Sequence, residues 1–415
     1  MTARPEVSIV IPYFDDQDRL TLLLRALAQQ TGGVGFEVVV ADDGSPRPPR
    51  IPPGLGFTCT VARQPDAGFR AAAARNLGAE RATGELVLFL DGDTMPTAGY
   101  VAAMTARLGS VDDGYGALVV GRRRHAARSG VGAGDALRFL RDGVASDPTG
   151  PRHPGITVLP DPGWLRAGYA RTADLAAAGD EDFRLIISAV LGVDRRLWLA
   201  TGGFDESFVG YGGEDWDLAW RSRVAGAGWA YEPAAVAWHD GPDAAGRNRP
   251  AAVKNAESIR LARTVPLPSV RGRGLIFAQP DIVVRYTGPT TGTAADAAVV
   301  ACVAGLLAGS DAGVWFERPR DPLPPLLADD PRVHAGPVPV EITGRARWVV
   351  TVHRPVRLAE PLAVACAAGE CEVPEWMQIH HTRSRNRDAP MPGRTPPGLE
   401  PIPEDVGLER WWGGW

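Results

Sequence analysis

The chain has little of several things, and each shortage excludes something. Its 415 residues include four cysteines, Cys59, Cys302, Cys366 and Cys371, too few and too scattered for a disulfide framework. Cys366 and Cys371 precede His380 and His381, yet the spacing matches no zinc finger, and these residues read as ordinary packed or surface positions. No apolar run reaches bilayer length. The longest, Ala297 to Gly309, covers about half a span and is rich in Ala and Gly, so it reads as a packed helix. The charge excess is small, −5, which gives nucleic acid or an anionic membrane no general hold on the surface. Residues 1–6 run straight into a strand-like segment with no apolar leader, so the expectation is a cytoplasmic protein without a membrane span.

The informative residues are concentrated at the ends of strands. Leu86-Val87-Leu88-Phe89-Leu90 is an unbroken apolar run, as a strand buried on both faces requires, and it ends in Asp91-Gly92-Asp93. Open α/β sheets bind ligands just beyond the carboxyl ends of their strands. Two acids there, with a glycine between them to permit a tight turn, suit a divalent cation and the diphosphate it carries. The bland alternative is an Asp-Gly turn closing a core strand. Upstream, Val7 to Pro12 reads as a first buried strand, and Asp15-Asp16-Gln17-Asp18 stands where a helix cap belongs, before Arg19 to Gln30. Glu37 to Ala41 is a second strand ending in Asp42-Asp43-Gly44-Ser45. Phe57 to Ala62 is a third, and Ala71 to Thr83 an alanine-rich helix. This alternation implies a mostly parallel sheet with right-handed crossovers. Its strand ends share one edge, so the acids meet across one cleft.

Residues 122–165 are rich in Arg, Gly and Pro with weak periodicity, which reads as a partly mobile insertion. Regular structure resumes at Asp182 to Thr201. Beyond about Arg247 to Arg273, the segments Asp281 to Tyr286, Ala294 to Leu307, Gly313 to Phe316 and Arg347 to Val352 read as a second, smaller α/β unit. It carries neither an Asp-x-Asp pair nor a glycine loop for phosphate, so no chemistry is assigned to it.

In order along the chain, Ser8-Ile9-Val10-Ile11-Pro12-Tyr13, Val40-Ala41-Asp42-Asp43-Gly44-Ser45, Ala74-Arg75-Asn76-Leu77-Gly78 and Phe89-Leu90-Asp91-Gly92-Asp93 resemble glycosyltransferase family 2. Gly202-Gly203-Phe204-Asp205-Glu206 and Gly212-Gly213-Glu214-Asp215-Trp216-Asp217 resemble the acceptor half found in chondroitin-polymerase-like and galactosyltransferase-like enzymes. The resemblance covers about residues 7–245. It implies an α/β fold: a GT-A catalytic domain, Rossmann-like with a mostly parallel sheet, over 1–250, and a smaller C-terminal α/β unit. The nucleotide half would be about 1–120 and the acceptor half about 121–250. A linker over 251–272, a small domain of unknown role over 273–388 and a Pro- and Trp-rich tail over 389–415 would follow.

The activity implied is inverting, metal-dependent transfer of a sugar from a nucleotide-diphosphate sugar, with a UDP-sugar as the expected donor. The acceptor would be a hydroxyl or other nucleophile on a small molecule, peptide or glycan. Asp42 and Asp43 would accept hydrogen bonds from uracil or ribose, with turn capping as the rival role, and Pro12 and Tyr13 would wall the base. Arg75 and Asn76 would reach the diphosphate or order the Asp-Gly-Asp loop, since an arginine offers phosphate paired donors. Asp93 is expected to hold Mn²⁺ or Mg²⁺ directly, with Asp91 and Gly92 facing ribose or an intervening water. His239, in Trp238-His239-Asp240, stands where the family adds a distal histidine, and an imidazole tilts the choice toward Mn²⁺.

Inversion needs a carboxylate to take the acceptor's proton. By motif position that is Asp215, with Glu214 on acceptor or donor hydroxyls, though the two can be exchanged. Acids in a first helical turn are also expected for dipole reasons alone. The tryptophans nearby, Trp198, Trp216, Trp220, Trp229 and Trp238, read mostly as core, with one as a sugar platform. Three other functions compete with this one. A catalytically silent nucleotide-sugar-binding scaffold, partnering another enzyme, sits poorly with the intact acids. A nucleotidyltransferase needs a basic Gly-rich loop where Tyr13-Phe14-Asp15-Asp16 stands. Processive polysaccharide synthesis calls for membrane helices and a Gln-x-x-Arg-Trp motif, from which Asp217-Leu218-Ala219-Trp220-Arg221 departs.

Overall fold

The computed structural model describes residues 5–111, 114–128, 130–142, 155–243, 251–272, 274–288, 293–318 and 323–412. The chain packs as two units, residues 1–223 with 227–260, and 224–226 with 261–415. In the first unit the strands are β1 (Val7–Tyr13), β2 (Phe36–Asp42), β3 (Thr58–Arg63), β4 (Leu86–Leu90), β5 (Thr94–Pro96), β6 (Ala117–Arg128), β7 (Ile156–Leu159), β8 (Val190–Asp194) and β9 (Gly228–Asp240). The helices are α1 (Gln17–Leu27), α2 (Ala71–Arg81), α3 (Tyr100–Val111), α4 (Ala133–Asp142), α5 (Gly163–Arg171), α6 (Arg195–Thr201), α7 (Glu214–Val224) and α8 (Ala251–Thr264).

The sheet runs β3-β2-β1-β4-β8-β6-β9-β5, with β7 on β6. It is parallel from β3 to β4, then turns antiparallel at β4 against β8. The α/β class expected from the sequence is present. Val7, Ile9, Val10 and Ile11 are all fully buried in the interior of this sheet, and Ser8 among them is buried with its hydroxyl donating to Glu37 Oε1 and accepting from Gly84 N. α2 comes so close to β1 that a Cβ on Gly78 would lie 2.3 Å from Val10 Cγ1. α1 is capped by Asp16, whose side chain accepts from Arg19 N.

Two pairings place the site. β5 runs antiparallel to β9 with Thr94 opposite His239, which brings the turn after β4 beside that histidine. β6 runs parallel to β9 with His125 opposite His239. β6 also corrects the expectation of an irregular insertion. Its arginines stay in a strand because each charge is answered: Arg122 by Asp161 (2.8 Å), Arg123 by Asp243 (2.6 Å) and Arg128 by Asp240 (2.9 Å), while Arg124 stacks on Trp238. Residues 143–154 of that stretch lie outside the described residues. Residues 251–264, read as linker, form α8: between Pro250 and Pro266 the sequence is mostly good helix formers such as Ala, Leu, Lys, Glu and Arg.

In the second unit, strands Val333–Ala335, Ala312–Phe316, Ile282–Tyr286 and Trp348–Val352 are parallel in that order, and Met377–His381 and Cys371–Val373 continue the sheet antiparallel. Helix Thr293–Leu307 holds most of the longest apolar run and packs on the sheet. Among the described residues no helix is long and apolar enough to cross a membrane. In the tail Glu400–Pro401 pairs with Val356–Arg357, and Trp411 packs against the core of this unit. Residues 413–415 lie outside the described residues.

Candidate functional site

Past Leu90 the chain turns sharply: Thr94 N donates to Asp91 O (2.9 Å). This turn leaves Asp91 and Asp93 on the rim of a first cleft, with Pro12, Tyr13, Asp43, Gly92 and His239 on its walls. Arg75, 3% exposed, reaches from α2 to Asp91 (Nη2–Oδ1 2.7 Å) and to Glu214 at the start of α7 (Nη1–Oε1 3.0 Å). Burial works to strip its proton, but Asp91 and Glu214 together outweigh that and hold the guanidinium charged. The other Glu214 oxygen, Oε2, is buried with no hydrogen-bond partner, a costly arrangement that points to a missing donor.

A second cleft opens on the far side of Arg75 and Asp91. Glu214, Asp215, Trp216, Trp164, Lys254 and Glu257 line it, and it shares Phe69, Ala71, Arg123 and Tyr211 with the first. Asp215 accepts from Ser188 N (3.3 Å) and Trp216 N (2.9 Å). Burial, and then the Glu214 charge beside it, push its carboxyl up to about 7 against the pull of Arg75. A carboxyl in that range can take and return a proton near neutrality.

Across the first cleft Asp93 Oδ2 lies 3.2 Å from His239 Nε2. His239 Nδ1 contacts the Gly241 carbonyl (3.1 Å), which can only accept, so Nδ1 carries a proton there. That leaves Nε2 as the ring nitrogen turned toward the carboxylate. Two electron-pair donors at this distance match neighbouring ligands of an octahedral Mg²⁺ or Mn²⁺, about 3 Å apart for bonds near 2.1 Å. Among the described residues no group of three or more His, Cys, Asp or Glu is placed to hold a metal by itself. A cation here would therefore draw further oxygens from its ligand.

Not every residue singled out in the sequence faces the clefts. Asp42 is fully buried, its carboxylate taken by Ser45 N (2.9 Å) and hydroxyl and by Arg63 (3.4 Å), so it braces the turn after β2. Asn76 bonds both ways to the Phe204 backbone and donates to Glu206, pinning that segment instead of reaching a phosphate. Trp198, Trp220, Trp229 and Trp238 are buried core, whereas Trp216 and the half-exposed Trp164 line the second cleft.

Several residues emerged only in three dimensions. His125 Nδ1 contacts the same Gly241 carbonyl (3.0 Å), and burial, reinforced by Arg123 and His239, holds it down at about 4, hence neutral. Lys254 is the only lysine in the sequence, and it sits on the second cleft beside Glu257 (2.9 Å) and over the Trp216 ring. The exposed rings of Phe69 and Tyr211 stack at 6.1 Å over the junction of the clefts, and Gly210 N donates to Phe69 O (2.9 Å). No local pattern marks His125, Phe69 or Tyr211, because their contacts join segments far apart in sequence. Lys254 pairs with Glu257 one helical turn on, and it is its place over Trp216 that is tertiary.

Residues 8–135 match the family model for glycosyl transferase family 2, and residues 179–233 match the model described as the N-terminal domain of galactosyltransferase. The resemblance drawn from the motifs is thereby shown over those residues. A hyaluronan synthase of Pasteurella multocida is 26% identical over 57% of this chain and 24% of its own length. A validoxylamine A glucosyltransferase of Streptomyces hygroscopicus subsp. jinggangensis is 30% identical over 54% of this chain and 52% of its own. The chain thus spans between about a quarter and about half of these curated relatives. Among solved structures, S. aureus TarS 1–349 in complex with UDP aligns with 57% of this chain and 60% of its own at 16% identity and a TM-score of 0.37.

Proposed function

We propose that the first unit is an inverting glycosyltransferase that moves a sugar from a UDP-sugar to an acceptor hydroxyl, with Mn²⁺ or Mg²⁺ held by Asp93 and His239. The observation that carries this reading is the wall shared by the two clefts. On one side of Arg75 and Asp91 stand a carboxylate and an imidazole spaced as cation ligands, and on the other a carboxyl poised near neutrality.

In this reading Pro12, Tyr13 and Asp43 hold the nucleotide, while Asp42 and Asn76 keep the surrounding turns in place. Asp215 takes the acceptor's proton as the acceptor oxygen bonds to the anomeric carbon. The bond from that carbon to the diphosphate oxygen breaks, and its electron pair leaves with the diphosphate. The cation would neutralise charge gathering on that leaving group. Arg75 adds a fixed positive charge close by, and Glu214 Oε2 receives a substrate hydroxyl. Tyr211, Trp164 and Trp216 offer faces on which a sugar ring stacks. One relative's name gives hyaluronan as product and another's gives validoxylamine A as substrate, so glycans and small molecules are both proposed acceptor classes.

Calorimetric titration with UDP, with Mn²⁺ and again with the metal chelated, tests this directly. Binding that requires Mn²⁺ and disappears in Asp93→Ala supports the donor site. A chain that binds no UDP with Mn²⁺ and releases none from UDP-sugars overturns the reading.

A further inference from the structure

The second unit repeats the layout that positions the first cleft, with the charge at its strand ends reversed. In the first unit the four parallel strands lie third-second-first-fourth by order of appearance, with antiparallel β8 beside the fourth. In the second unit Val333–Ala335, Ala312–Phe316, Ile282–Tyr286 and Trp348–Val352 lie in the same order, with antiparallel Met377–His381 beside the fourth. Beyond the fourth strand the two units are spaced alike. After Leu90, β5 begins at Thr94 and α3 at Tyr100; after Val352, a short strand begins at Val356 and a helix at Leu362, the same intervals. His353-Arg354-Pro355 therefore occupies the place of Asp91-Gly92-Asp93.

Between first and fourth strands lies the topological switch point, where such sheets take their ligands. At that edge the first unit presents Asp43, Asp91 and Asp93, and the second presents Thr287, Arg318, His353 and Arg354. Glu317, at the end of the neighbouring strand, is paired with Arg285 (2.9 Å). The Thr287 hydroxyl donates to Val352 O (3.3 Å) and so accepts from His353 Nδ1 (2.9 Å), which turns Nε2 away from Thr287. Arg354 is exposed.

We infer that the second unit is a metal-independent anion site, taking a phosphate-bearing small molecule between His353 and Arg354 at the switch point. Carboxylates at a strand edge need a divalent cation to receive a phosphate group. A guanidinium receives it directly through charge-assisted hydrogen bonds, with the His353 ring held beside it by Thr287. Nothing in this site depends on the transfer proposed for the first unit.

The test is calorimetry on the full chain in EDTA, titrated with UDP and separately with inorganic phosphate. Both bind; Arg354→Ala weakens them about tenfold or more, the loss of one charge-assisted contact, and Arg354→Lys recovers part. Thr287→Val, which releases the His353 ring, weakens binding in the same direction. Tighter binding of UDP than of phosphate supports a nucleotide site, and equal affinity supports a site for the phosphate group alone. No binding in EDTA, or binding that Arg354→Ala leaves intact, overturns the inference. If the chain binds no UDP with Mn²⁺ beyond what Arg354→Ala abolishes, the first unit's proposed function fails while this site stands.

Discussion

Asp215 is held between influences of opposite sign. Burial and Glu214 raise its pKa; Arg75 and the backbone N–H groups of Ser188 and Trp216 lower it. A base must be unprotonated, so kcat/KM rises with pH through an acid limb near the pKa of about 7. Glu214→Gln removes the neighbouring charge and moves that limb to lower pH, and a limb that stays put counts against Asp215 as the titrating group. Asp215→Asn lowers kcat by about 10²- to 10⁴-fold with UDP affinity unchanged, read by steady-state rates beside calorimetry. At this scale Asp91, Asp93 and Asp215 were legible because each follows a strand end or a glycine turn. The inward orientation of Asp42 and Asn76 was not, since a motif fixes position along the chain and says nothing of where a side chain points. His125, and the place of Lys254 over Trp216, were invisible for the plainer reason that Gly241 and Trp216 are distant in sequence from them.

Among the elements, the buried strands announced themselves because strands covered on both faces are largely apolar: Leu86 to Leu90 is unbroken, and Val7 to Ile11 is interrupted by Ser8 alone, whose hydroxyl donates to Glu37 Oε1. β6 did not, because its arginines find acids on the loop after β7 and at the end of β9, partners that only tertiary pairing supplies. The register of β5 on β9, which sets Asp93 against His239, likewise has no local signature. Close approach of α2 to β1 gives a test of its own. In Gly78→Ala the new methyl would sit 2.3 Å from Val10 Cγ1, so the helix must shift. Overpacking of this kind costs about 1–3 kcal/mol, and the expected result is a lower midpoint in thermal unfolding with the pH–rate profile in place. Gly44 is stricter: its φ is +83° and a Cβ would fall 2.2 Å from Asp66 N, so Gly44→Ala should also disturb Asp43, which rides on the same turn.

For the molecule as a whole, raised carboxyls pull stability down as pH rises, while His125, held down at about 4, pulls it the other way below the ordinary imidazole range. Asp215 and Asp281 titrate at about 7 and about 6 when folded, mainly through burial, against 3.8 when free. The folded chain holds protons that the unfolded chain has released, so their contribution is full below about pH 4 and is lost as pH rises through those folded values. Above the ordinary imidazole range, where His125 no longer contributes a slope, thermal midpoints should fall as pH rises through about 7, and Asp215→Asn should flatten the fall and unfold at higher temperature than the parent at pH 7.5. An unchanged slope in that variant would assign the effect elsewhere. The sequence also offers a single lysine side chain, Lys254, more than half exposed on the second cleft. An amine-directed reagent therefore modifies one side chain, and a ligand of the second cleft slows that modification as followed by mass spectrometry, while UDP alone does so less.

Arg75 answers to both clefts at once, through Asp91 in one and Glu214 in the other. A ligand that draws Asp91 toward itself changes the field at Glu214, and an occupant settling on Glu214 changes the field at Asp91. Thermodynamic linkage makes such an effect reciprocal: the factor by which one occupant tightens the other is returned in equal measure. Affinities alone then cannot say which cleft fills first, and any fixed order of loading must come from the rates at which the two mouths admit their ligands.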